Sequence, residues 1–118
     1  MQPIRLTFDN GPEPEVTPAV LDILARRGIH TTFFVIGEKL RDPARRALAE
    51  RARAEGHQVG NHTLTHGEPL GRRGGAEAVH EIEETDALLG PLREPAGLRL
   101  LSLLEDEGFL FARYAVGA

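Results

Sequence analysis

The run TTFFVIG, residues 31–37, limits the fold more than any other stretch of this chain. It is β-branched or aromatic and nearly apolar throughout, with no alternation of polar and apolar positions. A strand with one wet face alternates, whereas a strand covered on both faces reads as one continuous apolar run. Residues 31–37 are therefore predicted to be an inner strand, and strands of that kind belong to parallel sheets.

The flanking segments agree. IRLTF, residues 4–8, is a second strand candidate. Thr17 can cap a helix that has Pro18 in its first position, where the missing N–H costs nothing. Val16, Val20, Ile23 and Leu24 fall on one face of that helix, and Gly28 ends it. Asp42 and Pro43 repeat the cap-then-proline start of a second helix, which Gly56 closes. HQVGNH, residues 57–62, is a short third strand. A third helix carries Val79, Ile82 and Leu89 at helical spacing and stops at Gly90-Pro91. The amphipathic stretch LRLLSLLEDEG then leads into FLFARYAV, which could be a final strand. Short connections between alternating strands and helices predict an α/β fold built on parallel strands. At 118 residues the chain is read as one domain, 1–118.

Composition excludes several function classes. Fourteen basic and 18 acidic residues leave a net charge of −4, which offers no field for nucleic acid or an anionic membrane. The basic run RDPARRALAERAR reads as the solvated face of a helix. No cysteine is present, so there is no disulfide, thiolate nucleophile or cysteine metal site. No apolar run is long enough to insert into a membrane, and no signal-peptide segment precedes the first strand. As it stands the chain reads as cytoplasmic.

Parallel sheets place their ligand sites at the carboxyl ends of the strands. Two polar clusters follow strands here: DNGP, residues 9–12, and NHTLTH, residues 61–66. The first alone is what any tight turn prefers. In the second, His62 and His66 are four apart, so their imidazoles share a side whether the segment is helical or extended. Two histidines and one oxygen ligand make a catalytic metal shell with room for water, and a carboxylate beside it can take a proton as attack begins. His30 and His57 read as strand-edge residues and His80 as helix surface.

The sequence resembles the polysaccharide deacetylase family, whose catalytic domain is the NodB homology domain of carbohydrate esterase family four. TFDNGP, residues 7–12, is similar to the family's first motif, TFDDGP. EGHQVGNHTLTH carries the second, H-T/S-x-x-H after an asparagine. REPAG, residues 93–97, retains part of the third, close to R-P-P-Y-G. The resemblance covers residues 4 to about 97. It implies an incomplete (β/α) barrel of the NodB type and metal-dependent removal of acetyl groups from N-acetylated, or O-acetylated, sugars of a polysaccharide such as chitin or peptidoglycan. It implies Asp9 as general base, Arg93 as the arginine that orients it, and Asn10, His62 and His66 as the triad for a divalent metal, with zinc expected. Gly11, Pro12 and Pro95 would contact the carbohydrate substrate. The family often works outside the cell.

Three departures from the pattern carry expectations of their own. Asn10 stands where the family has an aspartate, and the lost charge should weaken metal binding. Ala96 replaces the substrate-wall tyrosine, and Glu94 can pair with Arg93. The family's later motifs, including its general-acid histidine, have no counterpart before Ala118, so an open sheet edge is expected to allow self-association or complementation. The alternative reading is a catalytically impaired or inactive relic that binds sugar or a partner without turnover.

Overall fold

A computed structural model describes residues 3–92, 98–106 and 109–116. Three parallel strands form the first sheet in the order β1 (Thr7–Asp9), β2 (Thr32–Val35), β3 (Gln58–Asn61). The helices α1 (Thr17–Arg27) and α2 (Pro43–Ala54) make the crossovers, and α3 (Gly75–Leu89) follows β3. As expected for an inner strand, β2 pairs on both sides: Phe8 lies opposite Phe33, which lies opposite Val59. Residues 98–116, read from sequence as an amphipathic stretch and a strand, are two strands, β4 (Leu98–Asp106) and β5 (Phe109–Val116), paired antiparallel. Among the described residues no helix is long and apolar enough to cross a membrane.

The helix signals act where the chain places them, with one exception. Asp42 caps α2, its carboxylate accepting from the Ala44 N–H at 3.2 Å. Gly28 ends α1 at φ 63°, a left-handed conformation that needs no Cβ penalty in glycine. Thr17 is not a cap. It is the first residue of α1, and its hydroxyl accepts from the Glu13 N–H at 2.8 Å, closing the turn that precedes the helix.

The core lies between the sheet and α1, α2 and α3. Leu21, Leu24, Phe33, Val35, Leu40, Ala49, Ala52, Val59 and Leu89 form it. Leu21 is fully buried, and a side chain in that position stabilises the fold by about 1.5–3 kcal/mol. The buried stripe of α1 is Thr17, Leu21 and Leu24, so Val16 and Ile23, expected on that face, stay exposed. On α3 the buried stripe is Ala78, Glu81, Thr85 and Leu89, while Val79 faces outward. Polar residues on an inner face hid both the direction and the purpose of α3 from its hydrophobic pattern.

His57, expected at a strand edge, is 2% exposed. It sits at the start of β3, at the end of the sheet away from the DNGP and NHTLTH clusters. Its Nδ1 accepts from the Thr31 N–H at 3.0 Å, which requires that nitrogen to be unprotonated. Its ring packs edge-on against Phe33 and His30. Burial pushes the His57 pKa down, the nearby His30 adds to this, and Glu55 opposes it. Above about pH 6.5 both folded and unfolded chains hold a neutral ring. As pH falls below that value the unfolded chain takes up a proton first, and stability is lost. The urea midpoint is expected to drop between about pH 7.5 and pH 5.5. In His57→Gln, whose amide oxygen can accept the Thr31 N–H without titrating, that drop should shrink.

Candidate active site

The first cluster is a turn pinned from several directions. Asp9 is the last residue of β1, exposed and paired in register with Phe34. Asn10 adopts φ 76°, a left-handed conformation that asparagine tolerates better than most residues. The Asn10 N–H donates to the Phe34 carbonyl at 3.1 Å, and the Ile36 N–H donates to the Gly11 carbonyl at 3.1 Å. The Gly11–Pro12 peptide is cis. From outside the turn, Lys39 Nζ donates to the Asn10 carbonyl at 2.7 Å and Arg45 to the Pro12 carbonyl at 3.1 Å. The Glu13 carboxylate pairs with both Lys39 and Arg45. The hydrogen bond from Lys39, helped by Arg45, holds the Glu13 carboxyl below its ordinary range against some desolvation. Pro12 is buried and Gly11 half-buried, so of the predicted first-motif residues Asp9 and Asn10 are the ones that face solvent.

The second cluster is anchored to the same strand. The His62 N–H donates to the Val35 carbonyl at 2.9 Å, one residue beyond the Phe34 carbonyl that holds Asn10. Parallel strands lie about 4.8 Å apart, so the two clusters flank the end of β2 with roughly 10 Å between their main chains. Longer side chains reaching over β2 can meet across that gap.

Between the histidines the chain is held almost atom by atom. Thr63 and His66 both have positive φ, at 65° and 52°. Such conformations persist only where the surroundings over-determine them. Here the Asn61 carboxamide accepts from the Thr63 N–H at 2.8 Å while donating to the Ile82 carbonyl and to Asp86. The Gly37 and Glu38 N–H groups donate to the Thr63 and Leu64 carbonyls at 2.8 and 2.9 Å. The Thr63 hydroxyl accepts from the His66 N–H.

The remaining donors go to Glu81. Its carboxylate accepts from the Leu64 and Thr65 N–H groups at 2.8 and 2.9 Å, from the Thr65 hydroxyl at 2.8 Å and from Arg73 at 2.9 Å. Burial, with 3% of the residue exposed, would by itself push this carboxyl up. The Thr65 bonds, the Leu64 bond and the Arg73 charge outweigh it, so the group stays ionised below the usual carboxylate range.

The outcome is a pair of imidazoles with ring centroids 4.8 Å apart and planes tilted by 32°. His62 is half-buried and His66 exposed. Burial pushes the His62 pKa down, Asp9 opposes this, and His66 reinforces it. Among the described residues no three His, Asp, Glu or Cys side chains form a metal cage. Of the expected triad the structure brings the two imidazoles together, with Asn10 in the turn across the end of β2; all three side chains are uncharged donor types when the imidazoles are neutral. Arg93 and Pro95 lie outside the described residues.

A cavity of about 170 Å³ lies behind the first turn, lined by Phe8, Val20, Phe33, Val35, Leu48 and Ala52 on the helix side of the sheet. Asp9, Asn10, Gly11 and Pro12 line its mouth, so it opens beside the first cluster, whereas neither histidine lines it.

Comparison with known proteins decides the family. The Polysaccharide deacetylase family model matches residues 2–95. The chain belongs to the polysaccharide deacetylase family. This polysaccharide deacetylase domain is 41% identical over 103 residues to a chitooligosaccharide deacetylase of Sinorhizobium fredii, covering 80% of this chain and 47% of that protein. Its fold matches the peptidoglycan deacetylase PdaC of Bacillus subtilis with a TM-score of 0.69 and 35% identity, over 75% of this chain and 42% of PdaC. A family 4 acetyl xylan esterase from Clostridium thermocellum, in complex with a cobalt ion, matches with a TM-score of 0.66 and 30% identity, over 75% and 42%. The chain thus spans less than half the length of these relatives. Three parallel strands alternating with helices, matched over three-quarters of the chain, make it a partial NodB barrel.

Glu81 was not among the residues read from the sequence, because a lone glutamate on a helix is ordinarily solvated. The stripe on which it lies, 78, 81, 85 and 89, carries two polar residues and does not stand out as an inner face. Glu81→Gln keeps one acceptor oxygen but turns an NH2 toward donors, and is expected to cost about 1–3 kcal/mol in urea unfolding. Amide exchange should rise at Leu64 and Thr65 above the change elsewhere. Leu89→Ala, which loosens α3 without touching the loop, should raise exchange evenly.

Proposed function

We propose that this domain binds a divalent cation, zinc or a similar ion, and removes acetyl groups from acetylated sugars of a polysaccharide. The observation that carries the reading is the meeting of the two clusters on one rim, at adjacent carbonyls of β2. His62 and His66 would hold the cation with the Asn10 carboxamide oxygen. A dication there supplies Lewis-acid polarisation of the acetyl carbonyl. Asp9, exposed at the tip of β1, takes the proton of the attacking water. Arg93 would orient Asp9, and Gly11 and Pro95 would contact the sugar, whereas Pro12, being buried, would act by shaping the turn.

The substrate preference follows from what stands on the rim. Expulsion of an amine needs a proton donor, and general-acid help is worth about 10²- to 10⁴-fold. Among the described residues, His30 and His57 lie at the opposite end of the sheet and His80 is exposed on α3. No third histidine stands beside the pair among the described residues, so with these residues alone O-acetyl esters would be the better substrates, since an alkoxide needs less help to leave than an amine. Among the described residues β1 and β3 are the edges of the sheet, and a second copy would pair there.

The uncharged triad favours one second reading, a sugar-binding domain without turnover. The two are separated by metal. Under the first, zinc raises the melting temperature and restores acetate release from O-acetylated xylan after chelation, and His62→Ala abolishes both. A melt indifferent to zinc sinks the metalloenzyme reading. Asn10→Asp restores a charge at a position whose backbone suits aspartate equally, and should tighten zinc binding by about tenfold or more, read by calorimetry.

A further inference from the structure

The dipeptide Asn10–Gly11 combines a carboxamide with a following residue that has no side chain to shield its nitrogen. Asn10 is exposed. Among the described residues, neither its carboxamide nor the Gly11 N–H makes a hydrogen bond, so both reacting groups are uncommitted. The peptide unit that joins them is not neutral in its surroundings. Lys39 Nζ donates to the Asn10 carbonyl at 2.7 Å, and an ammonium at that oxygen draws electron density from the attached nitrogen and makes its N–H easier to remove.

The chain's other asparagine is the contrast. Asn61 precedes His62, and its carboxamide donates to the Ile82 carbonyl at 2.9 Å and to Asp86 at 2.7 Å while accepting from the Thr63 N–H. One asparagine is locked on every side and the other is bare.

We propose that Asn10 is a self-modification site, at which the chain's own Gly11 nitrogen displaces the carboxamide and water leaves an aspartate. The Gly11 nitrogen gives up its proton and attacks Cγ of Asn10. A C–N bond forms and closes a five-membered imide, the bond from Cγ to the side-chain nitrogen breaks, and ammonia leaves with the proton. Water then adds across the imide. Cleavage at Cγ restores the ordinary main chain with a carboxylate at position 10, and cleavage at the main-chain carbonyl gives isoaspartate instead. The net change is one water consumed and one ammonia released, with no oxidant or reductant.

The main chain of the turn selects between the products. The Asn10 N–H is bonded to Phe34 of β2 and the Gly11 carbonyl to Ile36 just after that strand. An isoaspartate would lengthen the main chain between them by one atom and break that register, so the aspartate is the product the fold accommodates. The consequence for metal rests on the function proposed above: a carboxylate at position 10 would supply the charge that the triad lacks.

The experiment is incubation of the folded chain at neutral pH, followed by tryptic mapping. Residues 6–26 form one tryptic peptide in which Asn10 is the only amide side chain. That peptide is expected to gain about one mass unit with time, with aspartate in excess of isoaspartate by fragmentation, while the peptide carrying Asn61 stays unchanged. Gly11→Ala is the control. A Cβ there would meet Thr17 Oγ1 at 3.5 Å, ordinary contact, so the variant should fold and convert about an order of magnitude more slowly. No conversion in the folded chain while a urea-unfolded sample converts would overturn the proposal, as would equal rates in Gly11→Ala or isoaspartate as the main product. The mass readout is independent of metal. If conversion proceeds but neither the converted chain nor Asn10→Asp binds zinc, the modification stands and the metalloenzyme reading fails.

Discussion

Everything on the rim depends on β2 being paired on both sides. Phe34 and Val35 offer adjacent carbonyls at the strand's end, and one receives Asn10 while the next receives His62. Residues more than fifty positions apart are thereby set side by side by two main-chain hydrogen bonds. The apolar character of β2 that forces it inside is therefore also what assembles the site. Phe33 and Val35 face the helices and close the core, while the carbonyls at the strand's end hold the chemistry.

The order of elements was legible because it rests on local rules: a proline where a helix starts, a glycine where it ends, an unbroken apolar run for a strand covered on both faces. The two histidines were legible for a similar reason, since a spacing of four puts them on one side in either conformation. What escaped was long-range. Glu81 is buried because it faces the histidine loop from another element, and no periodicity in α3 announces that. Thr85 and Ala78 share its stripe, so the helix's inner face is too polar and too small to stand out. Val16, Ile23 and Val79 erred the other way, apolar residues left in water because the inner stripe lay beside them. His57 escaped too, as a polar ring that burial and the Thr31 N–H together keep neutral.

The two ends of the sheet have different tasks. At the carboxyl ends of the strands the polar groups are exposed and available. At the amino ends His57 is sealed against Phe33 and spent on a structural bond. Histidines stand at both ends, but only those on the rim are placed to meet a ligand. Family membership and fold rest on the strands and helices that the comparisons match, and Asn10 fits the left-handed turn without disturbing them.

The clamp on residues 63–66 has a further consequence. Glu81, Asn61, Gly37 and Glu38 hold the loop through its own main chain. The lock is cut before any key arrives. Whatever meets His62 and His66 finds their main chain already ordered, so little of the binding energy would be spent on fixing it.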